Sequence, residues 1–210
     1  MKYLIVNADD FGYSLSINKG IIKAHVDGIV TATSVMVDSV GAEEAMKLSS
    51  YPDLAVGLHF VPNAATEAKT ELERQFQKFV SIVGTRPSHI DIHKVRSDDM
   101  DLKRDVIEFA NSYDIPARYS GKAKFIDSFF GPHANNNVSI DQLKDAISQA
   151  TEAYNELMCH VGYSDDYLRA HSSYSDMREK ELDSICSAEI KHYIEQQGIT
   201  LTNWSQINII

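Results

Sequence analysis

Two aspartates, Asp9 and Asp10, stand side by side in the opening stretch KYLIVNADDFGY, just beyond the apolar run Tyr3-Leu4-Ile5-Val6. Like charges this close are unfavourable unless a cation or a proton relieves them. Other segments offer groups that could take part. His59 is the last but one residue of LAVGLHF, the triplet His89, Asp91 and His93 alternates in HIDIH, and His160 follows Cys159 in ELMCHVG. On a strand, residues two apart share a face, so His89, Asp91 and His93 are expected on one side. A carboxylate with two imidazoles is a sound donor set for a divalent cation, and three protein ligands leave positions open for water and substrate. One aspartate would bind the ion, whose charge would let its neighbour stay ionised. Adjacent strand residues point to opposite faces, so both aspartates reach one site only if the backbone turns, as Phe11-Gly12 favours. Each piece also has a plainer reading: Asp-Asp before Phe-Gly fits a turn closed by an Asx bond, and a histidine ending a strand is commonly a core or rim residue. His25 and His192 fall in helical patterns and read as structural or surface residues. His133 and His171 fall in polar loops and take no role.

The elements that must position these groups alternate along the chain. Strands are expected over 2–7, 29–37, 54–60, 89–93, 115–119, 155–160 and 199–202, with a short one over 124–127 inside a loop spanning 120–137. Helices are expected over 14–26, 42–50, 67–83, 102–113, 140–153 and 177–197, and a polar loop over 161–175. Alternating strands and helices imply parallel βαβ units, in which the C-terminal strand ends share one rim. Asp9-Asp10, His59, the His89–His93 triplet and His160 all fall at such ends and can converge there. The expected architecture is α/β, about seven parallel strands in a closed or nearly closed barrel, one domain over 1–210.

Bulk properties narrow the function class. The chain has 210 residues, 43% hydrophobic and 24% charged, enough for one domain with a substantial core. A net charge of −10 argues against a nucleic-acid partner. Two isolated cysteines, Cys159 and Cys186, form no disulfide framework. No signal-peptide pattern and no apolar stretch of membrane-spanning length is visible, so a cytoplasmic protein without a membrane partner is expected, with a homodimer as the commonest assembly.

The ordered set VNADDFG, TATSVMV, VGLHF, RPSHIDIH and MCHVG resembles the YdjC-like family of carbohydrate deacetylases, which includes enzymes acting on chito-oligosaccharides such as diacetylchitobiose. The resemblance runs from Leu4 to about Leu182. It implies a distorted (β/α) barrel, a divalent cation and an acetylated sugar substrate. It implies Asp10, His59 and His93 as metal ligands, Asp9 as general base and His160 as general acid. Arg118, in IPARY, matches a position often basic in the family and is expected to contact substrate or oxyanion; Asp91 and His89 are expected behind the ligands. SSYSDMREKEL (172–182) resembles a late family element of no derivable role. Two departures stand out: Lys94-Val95-Arg96 replace further histidines, and the segment after His59 is short, which shortens one wall of the cleft. The metal is expected to be Zn²⁺ or Mg²⁺. Rival readings are a metal-dependent phosphoesterase or other amidohydrolase on the same barrel, and a degenerate, non-catalytic ligand-binding member.

Overall fold

A computed structural model of the chain describes residues 1–129 and 137–207. His133 and part of the loop expected over 120–137 lie outside the described residues. Among the described residues seven strands form: β1 (Lys2–Phe11), β2 (Ala32–Val35), β3 (Ala55–Phe60), β4 (Ile90–Ile92), β5 (Lys124–Ile126), β6 (Tyr154–Cys159) and β7 (Ile199–Thr202). Every pairing is parallel, in the order β4-β3-β2-β1-β6-β5, with β7 against β1. β1 lies at the centre. Its first residues pair with β7, residues 3–8 with β6, and residues 7–11 with β2. From Leu4 onward it is fully buried. A strand covered on both faces reads as a continuous apolar run, which is why Leu4-Ile5-Val6 shows no alternation.

Helices α1 (Leu15–Val26), α2 (Ala68–Val83), α3 (Met100–Ser112), α4 (Ile140–Ser148), α6 (Asp176–Ile185) and α7 (Ala188–Gln196) bring apolar stripes to this sheet. Ile17, Ile21 and Ala24 of α1, and Leu72, Phe76 and Phe79 of α2, recur at helical spacing and are buried. The sheet curls into a half-barrel: β1, β4 and β6 present Asp9, Asp91 and Glu156 to a single guanidinium, that of Arg118. Among the described residues no helix is long and apolar enough to cross a membrane.

The departures from expectation have local causes. The expected strand over 115–119 is reduced to one bridge, Ile90 to Ala117; Pro116 has no N–H to give a ladder, and Tyr119 turns left-handed at φ 70°. The expected long helix over 177–197 is two helices, because Ser187 caps α7 by accepting from Glu189 N at 3.2 Å. The polar loop over 161–175 contains a further short helix, α5 (Asp166–His171), capped by Asp165, which accepts from Leu168 N at 2.7 Å. The segment Ala42–Ser50 is 3-10 rather than α. β1 runs four residues past its expected end, with a register shift against β2 between Ala8 and Phe11.

Candidate active site

That shift is a bulge, and it carries Asp9 and Asp10. Asp10 takes φ 73°, a left-handed conformation that aspartate tolerates better than most residues. Gly12 follows at φ 96°, where a Cβ would lie 2.9 Å from the Met36 carbonyl oxygen. The extra residue re-aims the strand, so adjacent aspartates line one pocket instead of opposite faces. The pocket encloses about 880 Å³, and Asp9, Asp10, His59, His93, Arg118 and His160 all line it.

Both aspartates are buried, yet they have different partners. Asp9 is gripped through both oxygens by Arg118, at 2.8 Å from Nη1 and 2.8 Å from Nη2. Arg118 also donates to Glu156 at 2.7 and 2.9 Å and lies 3.1 Å from Asp91. Burial opposes its charge, but the three carboxylates win and raise its pKa further. Asn7 adds a donor to Asp9 at 2.7 Å. Glu156 is also buried, and burial pushes its carboxyl up to about 7.

One oxygen of Asp10, Oδ2, accepts from Arg178 at 2.6 Å. Its Oδ1 is buried with no hydrogen-bond partner among the described residues, and faces His59 Nε2 at 3.2 Å and His93 Nδ1 at 3.3 Å. Those two ring nitrogens are 3.1 Å apart. Burial disfavours ionisation of Asp10, yet Arg178 and the two histidines outweigh it and hold the carboxyl well below its ordinary range. His59 turns its other nitrogen, Nδ1, to Asp91 at 2.6 Å. That bond fixes the ring and leaves Nε2 toward Asp10 and His93, the orienting arrangement behind many metal-binding histidines. Burial alone would lower the His59 pKa; Asp91, Asp10 and Asp9 reverse this and lift it to about 10. The proton so held marks a place for positive charge. Asp10, His59 and His93 offer one donor atom each within 4.8 Å of one another, a set that fits a divalent cation. A second close group, Asp9, His59 and Asp91, has Arg118 bonded into it already.

The other expected site residues separate into those brought near and one set apart. His160 lies across the pocket just past β6, and burial pushes its pKa down to about 4. Asp91 stands behind His59, as expected. His89 does not join them: its ring stacks on Trp204 at 5.2 Å, fills the space left by Gly57, and meets Ser88 Oγ at 3.0 Å. Arg118, expected to touch substrate, has protein carboxylates as its partners. No residue of the short segment 61–67 lines the pocket.

The sequence matches the family model described as YdjC-like protein over residues 3–65 and 61–196. A chitooligosaccharide deacetylase of Escherichia fergusonii is 30% identical, over 98% of this chain and 99% of that protein. A carbohydrate deacetylase of Clostridium beijerinckii is 31% identical, over 97% and 99% respectively. The chain belongs to the YdjC-like family. Among solved structures, a candidate cellobiose-phosphate cleavage protein of Enterococcus faecalis V583 superposes with a TM-score of 0.85 at 25% identity, covering 97% of each chain. A family 4 carbohydrate esterase from Streptomyces lividans, in complex with acetate, shares the fold with a TM-score of 0.62 at 15% identity, covering 95% of this chain and 91% of that one.

In this YdjC-like chain the late element over 172–182 backs the pocket. Arg178 reaches Asp10, and Glu181 accepts from the His160 backbone N–H at 2.6 Å. Tyr174 bonds Glu181 through its hydroxyl. The sequence reading gives the element holding Arg178 and Glu181 no role and does not single out Glu156. A signal existed for each, since all are charged: Glu156 stands inside a buried strand, and Arg178 and Glu181 lie three apart on one buried face of α6.

Proposed function

We propose that this chain is a metal-dependent carbohydrate deacetylase that hydrolyses the N-acetyl group of an acetylated amino sugar. One observation carries the reading: the unbonded Oδ1 of Asp10 faces two imidazole nitrogens, beside an aspartate already held by an arginine. The deacetylase names of its relatives support the substrate class. Asp10, His59 and His93 would hold the cation. Bound there, it would supply Lewis acidity to the acetyl carbonyl and a lowered pKa to a water.

The rest falls to the chain's own groups. Asp9 takes the water proton; Arg118 acts as a positioning residue that keeps both its oxygens on the pocket side of β1. Hydrolysis moves one proton from water to the departing nitrogen. His160 delivers it, because an amide nitrogen leaves poorly as an anion. With a pKa near 4 its ring is neutral at rest, so the proton it passes on is the one Asp9 removed. Zn²⁺ and Mg²⁺ both suit an open site of one carboxylate and two imidazoles.

The test is acetate release from a panel of acetylated amino sugars by protein stripped of metal and reloaded with Zn²⁺ or Mg²⁺. Release that chelation abolishes is expected. Hydrolysis of generic phosphate esters in its place, or no turnover with either metal, would sink the reading.

A further inference from the structure

Among the described residues, four that are not glycine have positive φ: Asp10, Lys94, Asp114 and Tyr119. Three of them line the pocket, and Asp114 lies two residues beyond α3. Lys94 directly follows His93 and Tyr119 directly follows Arg118, so each left-handed residue sits one step beyond a group of the site. Aspartate tolerates that conformation, whereas for a bulky aromatic it is a genuine outlier costing on the order of 1–3 kcal/mol. Such a cost persists where the side chain's placement is useful.

Tyr119 is held on its ring and open at its tip. Lys103 Nζ stands 4.9 Å over the ring centroid, and Phe125 meets the ring edge-on at 5.1 Å. Its hydroxyl makes no hydrogen bond among the described residues, although a half-buried tyrosine hydroxyl usually has a partner. Burial raises its pKa, so the group stays protonated and able to donate.

We propose that Tyr119 is a specificity-determining residue whose hydroxyl hydrogen-bonds a hydroxyl of the sugar substrate, the left-handed backbone being retained to hold it there. The inference rests on the deacetylase reading. It deepens that reading by naming a contact outside the reacting group.

Two paired comparisons test it. Tyr119→Phe removes only the hydroxyl. The loss of one hydrogen bond should raise KM for a diacetylated amino-sugar disaccharide about 3- to 10-fold, with kcat within about twofold and the melting temperature unchanged. Tyr119→Gly and Tyr119→Ala remove the same ring contacts but differ in tolerance of positive φ, so the glycine variant should melt higher than the alanine variant. An unchanged KM in Tyr119→Phe overturns the substrate contact. Equal melting of Gly and Ala overturns the backbone argument, and a fall in kcat alone would move Tyr119 from binding to the chemical step. If the wild-type protein releases no acetate, the deacetylase reading itself has failed, a result distinct from all of these.

Discussion

Asp9 and Asp10 share a strand, a burial and a pocket, yet their charges are settled in opposite ways. Asp9 has an internal cation: both oxygens meet Arg118, which Asp91 and Glu156 hold in place. Asp10 has half of one: Oδ2 meets Arg178, while Oδ1 faces two imidazoles and has no hydrogen-bond partner among the described residues. The first arrangement is closed and orients a carboxylate. The second leaves room for a foreign ion. Two buried acids can therefore perform two tasks at one pH because their surroundings differ, the general logic of paired catalytic carboxylates.

The contrast breaks most sharply at the open side. His59→Ala removes one of three donors, so bound metal, measured by elemental analysis after dialysis, should drop to background and acetate release with it. Retained stoichiometric metal would show that the cluster is not its site. Opposite that cluster, His160→Ala should keep its metal yet lose about 10²–10⁴-fold in kcat, the usual share of acid–base catalysis; single-turnover acetate assays on metal-replete protein read this directly.

The closed side should fail through folding. Arg118→Leu leaves Asp9, Asp91 and Glu156 buried without their cation, and breaking such a network costs about 3–5 kcal/mol. Urea unfolding at neutral pH should register that loss. A shift below about 1 kcal/mol would mean the guanidinium is not the structural centre of the barrel.

A smaller effect concerns His89, beneath both sides. Burial lowers its pKa from 6.5 to about 4. Between those values the unfolded chain takes up a proton that the folded chain refuses. Its contribution is thus complete above pH 6.5 and is lost as pH falls toward 4, by about 3 kcal/mol at most. His89→Phe, which keeps a ring against Trp204, should show a flatter decline of stability across that window. Equal slopes would place the acid sensitivity elsewhere.

The sequence made the strand-end groups legible because each is a polar or titratable residue closing an apolar run, and a parallel sheet brings such ends to one rim. His59, Asp91, His93 and Asp10 meet for that reason. The closed side was legible only in part: Asp9, Asp91 and Arg118 were named, but neither Glu156 nor the way they pair. Arg118 and Glu156 follow no local period, and their pairing depends on how far the sheet curls. His89 was misplaced by the same rule that placed His93: alternation gives the face of a strand but not the height along it, and the absent side chain of Gly57 set where the ring went. The break at Ser187 was hidden by apolar spacing that continues through both helices.

β1 draws its neighbours from opposite ends of the chain, β2 within a few dozen residues and β6 and β7 more than a hundred residues later. During synthesis, the segment bearing both aspartates emerges well before β6 and β7 and waits for those two flanks. Closing both edges of β1 is therefore a late event, tied to long-range pairing that slows folding, and a chain that stops before β6 would carry Asp10, His59 and His93 without Glu156 and Arg178, the late-arriving groups that surround the two aspartates and their guanidinium.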